Sequence, residues 1–281
     1  MPRWVAYPTG ATVVGDLRVL RDVARTSLGR QRDILVHLPA GALDSGRRYP
    51  VLYMHDGQNL FDPATSFSGE WEVDETLASL ADDGLELIVV GIPNAGDLRV
   101  SEYTPYVGRF QQEVNRGGGG RAYLRFVVDT VKSLVDDAFP TRPERAATGV
   151  MGSSLGGLIS LWAAVEHGET FGLIGAMSPA VLPGQGYLLP RLRRLAVQPE
   201  RVYLDVGGHE GSSAPTVVEA RRQSAEELAT AGRIRSALRE GGLHEPDRLR
   251  FVEDDDGIHH ETAWARRLPD ALRFLFGPIG R

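Results

Sequence analysis

Gly152-Ser153-Ser154-Leu155-Gly156 is a G-x-S-x-G stretch. A serine in this pattern can attack an ester carbonyl, provided that the turn exposes it and a base takes its proton. The glycines suit a sharp strand-to-helix turn, in which the two backbones pass too close for side chains. Such a turn holds its apex serine in a strained conformation. It also sets the serine at a helix N-terminus, whose free N–H groups and dipole favour a developing oxyanion. Ser154 occupies the apex, whereas Ser153 fills the variable position and points away. By themselves the five residues read equally well as a plain glycine-rich turn, so their weight depends on partners elsewhere in the chain.

In this kind of site the acid and then the histidine follow the serine in chain order. Tyr203-Leu204-Asp205-Val206-Gly207-Gly208-His209-Glu210 reads as a strand running into a glycine turn. Glu210 lies beyond the strand end, free to turn toward a histidine. Asp205 lies within the strand and is the alternative acid, with a structural role favoured for it. The base is His259 or His260, in Asp256-Gly257-Ile258-His259-His260-Glu261. Adjacent side chains cannot both face the serine, so one of the two is a bystander. An oxyanion hole needs two backbone donors. The Leu155 N–H follows the nucleophile directly, and the Gln58 N–H is the choice from the loop His55-Asp56-Gly57-Gln58. His55 and Asp56 are expected to shape that loop. Trp71, Arg99 and Tyr103 fall in segments expected to be loops bordering a substrate pocket, although aromatics so placed are at least as often core.

These residues need a scaffold of strands and helices. Leu17 to Val23 and Gln31 to Leu38 read as strands, and Val51 to Met54 and Leu85 to Ile92 as buried central ones. Ala146 to Met151, Leu173 to Met177, Arg201 to Val206 and Arg250 to Glu253 complete the strands. Helical periodicity covers Glu72 to Leu80, Ala122 to Phe139, Leu155 to His167, Thr216 to Glu240 and Glu261 to Phe276. The run Gly117 to Gly120 reads as a flexible loop rather than a phosphate cradle. Strands alternating with helices predict an α/β fold: a mainly parallel sheet covered on both faces. No repeat or linker divides the 281 residues. The expectation is one domain over 1–281, with N-terminal strands in 1–50 and a core over 51–276.

Composition narrows the function classes. The formal net charge of −6 provides no global positive field for nucleic acid or an anionic membrane. The local cluster of Arg191, Arg193 and Arg194 has the spacing of a solvated helix face. With 0 cysteines, disulfides, thiolate metal sites and a cysteine nucleophile are excluded, and a reducing cytoplasm fits. No secretory signal pattern and no membrane-length apolar run is visible, so a soluble cytoplasmic protein is expected. Neither His-x-His nor His-Glu-x-x-His spacing occurs, and no metal or cofactor is expected for the chemistry.

A wider set of segments carries a family likeness. These are Tyr53-Met54-His55-Asp56-Gly57-Gln58-Asn59-Leu60-Phe61, Gly69-Glu70-Trp71, Val89-Val90-Gly91-Ile92, Glu102-Tyr103-Thr104-Pro105, the serine motif extended from Met151 to Gly157, and His259-His260-Glu261-Thr262-Ala263-Trp264. From about Gln31 to Phe276 the chain resembles the putative-esterase family of α/β-hydrolases. That family includes enterochelin esterases, feruloyl and acetylxylan esterases, S-formylglutathione hydrolases and mycolyltransferases. The resemblance implies an α/β-hydrolase fold with Ser154 as nucleophile, His259 rather than His260 as base, Glu210 as acid, and Gln58 and Leu155 as oxyanion donors. It implies a serine carboxylic-ester hydrolase acting through an acyl-enzyme on a small or medium acyl ester, without cofactor. An acyltransferase on the same scaffold is an alternative. A siderophore esterase of the enterochelin type is another, and no counterpart of the extra N-terminal domain of the full-length siderophore enzymes is expected. The expected partner is a small-molecule ester, and the oligomeric state stays open to a homo-oligomer.

Overall fold

The computed structural model describes residues 3–8, 12–23, 31–110, 113–181 and 185–278. Its strands are β1 (Val5–Ala6), β2 (Asp16–Val23), β3 (Arg32–Leu38), β4 (Val51–His55), β5 (Ile88–Ile92), β6 (Val107–Phe110), β7 (Glu113–Gly117), β8 (Thr148–Ser153), β9 (Leu173–Met177), β10 (Arg201–His209) and β11 (Leu249–Ile258). The helices are α1 (Val73–Asp82), α2 (Arg99–Tyr103), α3 (Gly120–Arg125), α4 (Ser133–Ala138), α5 (Leu155–Glu166), α6 (Gln185–Leu192), α7 (Val217–Glu240) and α8 (Glu261–Phe276). Between α3 and α4, Phe126–Lys132 winds more loosely, as a π-helical segment.

One large sheet has the order β1-β2-β3-β5-β4-β8-β9-β10-β11. From β5 to β11 every pairing is parallel, and the first strands join antiparallel. Alternation along each strand splits the apolar residues between two cores. Leu52, Met54, Met151 and Leu173 face α1 and α8, with Trp71, Leu77, Trp264 and Leu268. Val51, Tyr53, Val150 and Ile174 face the opposite layer, where Leu158, Trp162, Ile234 and Leu238 pack from α5 and α7. This is the mainly parallel, doubly covered sheet expected from the alternating pattern, and the α/β-hydrolase fold that the resemblance implies. Among the described residues no helix is long and apolar enough to cross a membrane.

Three local expectations need correction. The Asp254-Asp255-Asp256 run belongs to β11, which extends beyond Glu253 to Ile258. As the last strand of the sheet, β11 can carry charges that a central strand could not, so hydropathy hides its second half. The glycines at 117–120 are tightly packed rather than a flexible loop. Gly118 and Gly120 donate to Thr104 O at 2.8 and 3.3 Å, and Gly119 donates to Ser101 O at 2.9 Å. A Cβ on Gly117 would lie 2.3 Å from Tyr106 O, at a φ of +96°. Close approach, not freedom, explains glycine there. Finally, Arg99 and Tyr103 lie on α2, which precedes the β6–β7 hairpin; neither element was expected. A buried bidentate ion pair from Glu102 to Arg32, at 2.8 and 3.0 Å, fastens α2 to β3.

Candidate active site

Adjacent parallel strands end together, and their C-terminal ends bring distant residues to one edge. Ser153 pairs with Met177, Met177 with Asp205, and His209 with Ile258 across β8, β9, β10 and β11. Ser154, Ser178, Glu210 and His259 each follow one of these strand ends directly.

Ser154 has φ 55° and ψ −121°, a conformation that a side-chain-bearing residue adopts only under constraint. The constraint is visible in its hydrogen bonds. Its N–H donates to Met177 O at 3.0 Å, and its carbonyl accepts from Ala180 N–H at 3.0 Å and Leu158 N–H at 3.1 Å. A Cβ on Gly152 would lie 2.9 Å from Gly156, so the pattern's glycines mark a real crossing of backbones. The Leu155 N–H is the first of α5 and has no acceptor within the helix.

Glu210 is 3% exposed. One carboxylate oxygen accepts from Gly207 N–H at 2.5 Å and Ser178 Oγ–H at 2.6 Å, and the other meets His259 Nδ1 at 2.5 Å. Burial alone would raise its pKa. The hydrogen bond and charge of His259, with the Ser178 and Gly207 donors, outweigh that and hold it below the usual carboxylate value. His259 also meets the edge of Trp264, with ring centroids 5.0 Å apart. A further carboxyl, Glu227 on α7, feels the charges of His259 and Glu210, and burial pushes it up to about 7.

Ser178 is a residue that sequence reasoning missed. Its hydroxyl donates to Glu210 and accepts from Trp264 Nε1 at 3.1 Å and Arg267 Nη2 at 3.2 Å, which uses its full hydrogen-bonding capacity. The turn that carries it also holds the Ser154 backbone, so one short segment connects the Ser154 turn to Glu210. Its only sequence signal is its place, one residue past the expected strand Leu173 to Met177.

The two alternatives acquire other roles. Asp205 is fully buried and forms an ion pair with Arg267, with Nε at 2.8 Å, joining β10 to α8. It also accepts from Ser178 N–H at 3.0 Å. His260 caps α8, its Nδ1 accepting from Thr262 N–H at 3.2 Å. His209 is exposed.

The loop after β4 is held from several sides. Asp56 adopts a left-handed conformation at φ 56°. Its carboxylate receives Arg99 Nε and Nη2 at 2.7 and 2.8 Å and Asn94 Nδ2 at 2.7 Å. Its N–H donates to the Tyr103 hydroxyl at 3.0 Å. Burial opposes the Asp56 charge, but the Arg99 guanidinium overcomes this and keeps its pKa below the ordinary value. Asn59 N–H is taken by Asp56 O at 2.9 Å, whereas Gln58 N–H has no acceptor among the described residues. The Gln58 side chain accepts from Asn94 N–H at 3.1 Å. His55 is buried below the elbow with Nδ1 2.7 Å from the Tyr123 hydroxyl, and burial lowers its pKa to about 3.

The three residues expected to border a pocket do not lie in open loops. Tyr103 has no exposed surface, Trp71 packs in the core against Trp264 at 5.7 Å, and Arg99 is engaged by Asp56. Their contacts make them supports of the loop and of α8. We expect Arg99→Ala to lower kcat for p-nitrophenyl acetate about ten- to a hundredfold with little change in KM, because the loop donor would be misplaced by a fraction of an ångström. An unchanged kcat would separate Arg99 from oxyanion positioning.

Comparison with known proteins agrees with this geometry. Residues 25–275 match the family described as "Putative esterase". The chain belongs to that family. It is a carboxylic ester hydrolase. The esterase is 26% identical over 251 residues to the uncharacterized protein YbbA of Bacillus subtilis, covering 89% of this chain and 94% of YbbA. Its fold is similar to that of an IroE-like serine hydrolase from Shewanella oneidensis, with TM-score 0.68 and 21% identity over 92% of this chain and 80% of that one. It is also similar to the enterobactin esterase FES of Shigella flexneri, with TM-score 0.69 and 19% identity, covering 96% of the esterase and 62% of FES.

Proposed function

We propose that the protein is a serine esterase that hydrolyses small or medium acyl esters through an acyl-enzyme on Ser154. The observation that carries this reading is the strained Ser154 at the start of α5, on the same sheet edge as the hydrogen-bonded Glu210–His259 pair. With Nδ1–H donated to Glu210, the neutral imidazole keeps its lone pair on Nε2. His259 Nε2 takes the Ser154 hydroxyl proton as Oγ bonds to the ester carbonyl carbon. The N–H groups of Leu155 and Gln58 receive the resulting oxyanion. On collapse the carbon–oxygen bond to the alcohol breaks, and His259 returns the proton to the departing alkoxide. Water, deprotonated by the same nitrogen, then releases the acid and restores Ser154. The buried Glu210 carboxylate favours the imidazolium formed in both steps.

An alcohol in place of water would make the same site an acyltransferase, and a substrate of the enterobactin kind, for which FES is named, would make it a siderophore esterase. The formal net charge of −6 favours a small-molecule substrate over a polyanion. The test is active-site labelling. An alkyl fluorophosphonate should abolish hydrolysis of p-nitrophenyl acetate to octanoate and, with loss of HF, add its phosphonyl group to the peptide containing Ser154. Activity that survives full labelling, or a label on Ser153, would contradict the assignment. Product analysis with added alcohol separates free acid from transferred ester.

A further inference from the structure

The segment just beyond the Gln58 loop carries Glu70, Asp74 and Glu75. One carboxylate oxygen from each lies within 4.8 Å of the others. Among the described residues no lysine, arginine or histidine forms an ion pair with any of them. Each has a buried oxygen without a hydrogen-bond partner: Glu70 Oε1, Asp74 Oδ1 and Glu75 Oε2. Asp74 is 0% exposed, and its Oδ2 accepts from Val14 N–H at 2.6 Å. An orphaned buried carboxylate oxygen is costly, and the N-terminus of α1 offsets only part of three converging charges.

The geometry points to a divalent cation site, with Glu70, Asp74 and Glu75 as ligands and calcium as the ion. The donors are all oxygen, which selects hard cations over zinc, copper or iron. Calcium binds oxygen at about 2.3–2.6 Å, so two ligand atoms on one ion can lie up to about 5 Å apart. Magnesium binds at about 2.0–2.1 Å, demands near-ideal octahedral angles and keeps several waters, which three carboxylates on one short, largely buried segment suit less well. A cavity of about 500 Å³, lined by Asp74, His37, Leu38, Leu77 and Leu87, lies beside the cluster and supplies room for waters completing the shell.

The ion would act as a clamp. Trp71 N–H and Val73 N–H donate to Asn59 O and Leu60 O at 2.9 and 3.0 Å, so the acidic segment lies directly against the Gln58 loop. Through Val14 the same site reaches the N-terminal strands. A cation there would stiffen the 70–75 segment and, through it, the nearby Gln58 loop and the chain at Val14.

Binding, not turnover, is the readout, so its outcome is separate from that of the serine mechanism. Chelator-treated protein is titrated with CaCl₂ and with MgCl₂ by calorimetry, and its melting temperature is followed. The expected result is one saturable calcium site per chain, weaker magnesium binding, and a Tm rise of about 5 °C at a hundredfold excess over Kd. Glu70→Gln and Glu75→Gln, at partly exposed positions, should fold and lose the shift, whereas Glu72→Gln just outside the cluster should keep it. The inference is overturned if the wild type shows no saturable binding at millimolar calcium, or if Glu70→Gln and Glu75→Gln respond as the wild type does.

Discussion

Ser154→Ala is expected to lower kcat/KM for p-nitrophenyl acetate by about 10⁴-fold or more, leaving only catalysis by binding and oxyanion contacts. His259→Ala should fall nearly as far. The double variant should be hardly worse than either single one, because the two residues act as a unit. His260→Ala provides the contrast. Its imidazole caps α8, so its removal should cost about 0.5–2 kcal/mol of stability while activity stays near wild type. Kinetics beside thermal melts of all four proteins distinguish these outcomes. Persistent turnover without Ser154 would end the serine mechanism, and loss of turnover in His260→Ala at full folding would move the base to His260.

The second large effect separates the two acids. Glu210→Gln should reduce kcat by about 10⁴-fold with the fold intact, since an amide can present a donor to Nδ1 and favour the wrong tautomer. Asp205→Asn should behave in the opposite way. It would leave the Arg267 guanidinium buried, with Asp254 as its remaining anion at 2.9 Å. Breaking a buried pair from one side typically costs about 3–5 kcal/mol, and Asp254 makes the lower end the expectation. The signature is a large drop in urea midpoint for Asp205→Asn with kcat within about tenfold of wild type at 25 °C. For Glu210→Gln it is a near-normal midpoint with almost no turnover. The reverse pattern would make Asp205 the catalytic acid.

Most of the architecture was legible before any coordinates. Period-2 alternation and short apolar runs marked the central strands from Val51 to Val206, and α5, α7 and α8 begin within a residue of expectation. What escaped has a common cause. The second half of β11 is charged because it is an edge, and edge status belongs to the sheet rather than to the segment. The 117–120 glycines look mobile in sequence, because their lack of side chains says nothing about what presses against them. Trp71, Arg99 and Tyr103 resemble pocket residues by type and position, yet each is turned into a packing or hydrogen-bonding contact that sequence spacing does not encode.

The candidate site divides in the same way. The sequence by itself determined the chemistry on offer: a serine in a turn that only small neighbours permit, then an acid and a histidine in a workable order, in a chain without cysteine. Those are local facts, set by residue type and by steric limits over a few positions. Only the tertiary structure set Glu210 against His259 and Asp205 against Arg267, gave His260 a helix to cap, and revealed Ser178 as the hydroxyl joining the serine turn to Glu210. It also gathered Glu70, Asp74 and Glu75, with no cationic partner among the described residues. Each of these depends on strand register and on which side chains neighbouring elements present. Parallel strands line up their ends across some 100 residues of sequence, and no local pattern records who stands beside whom.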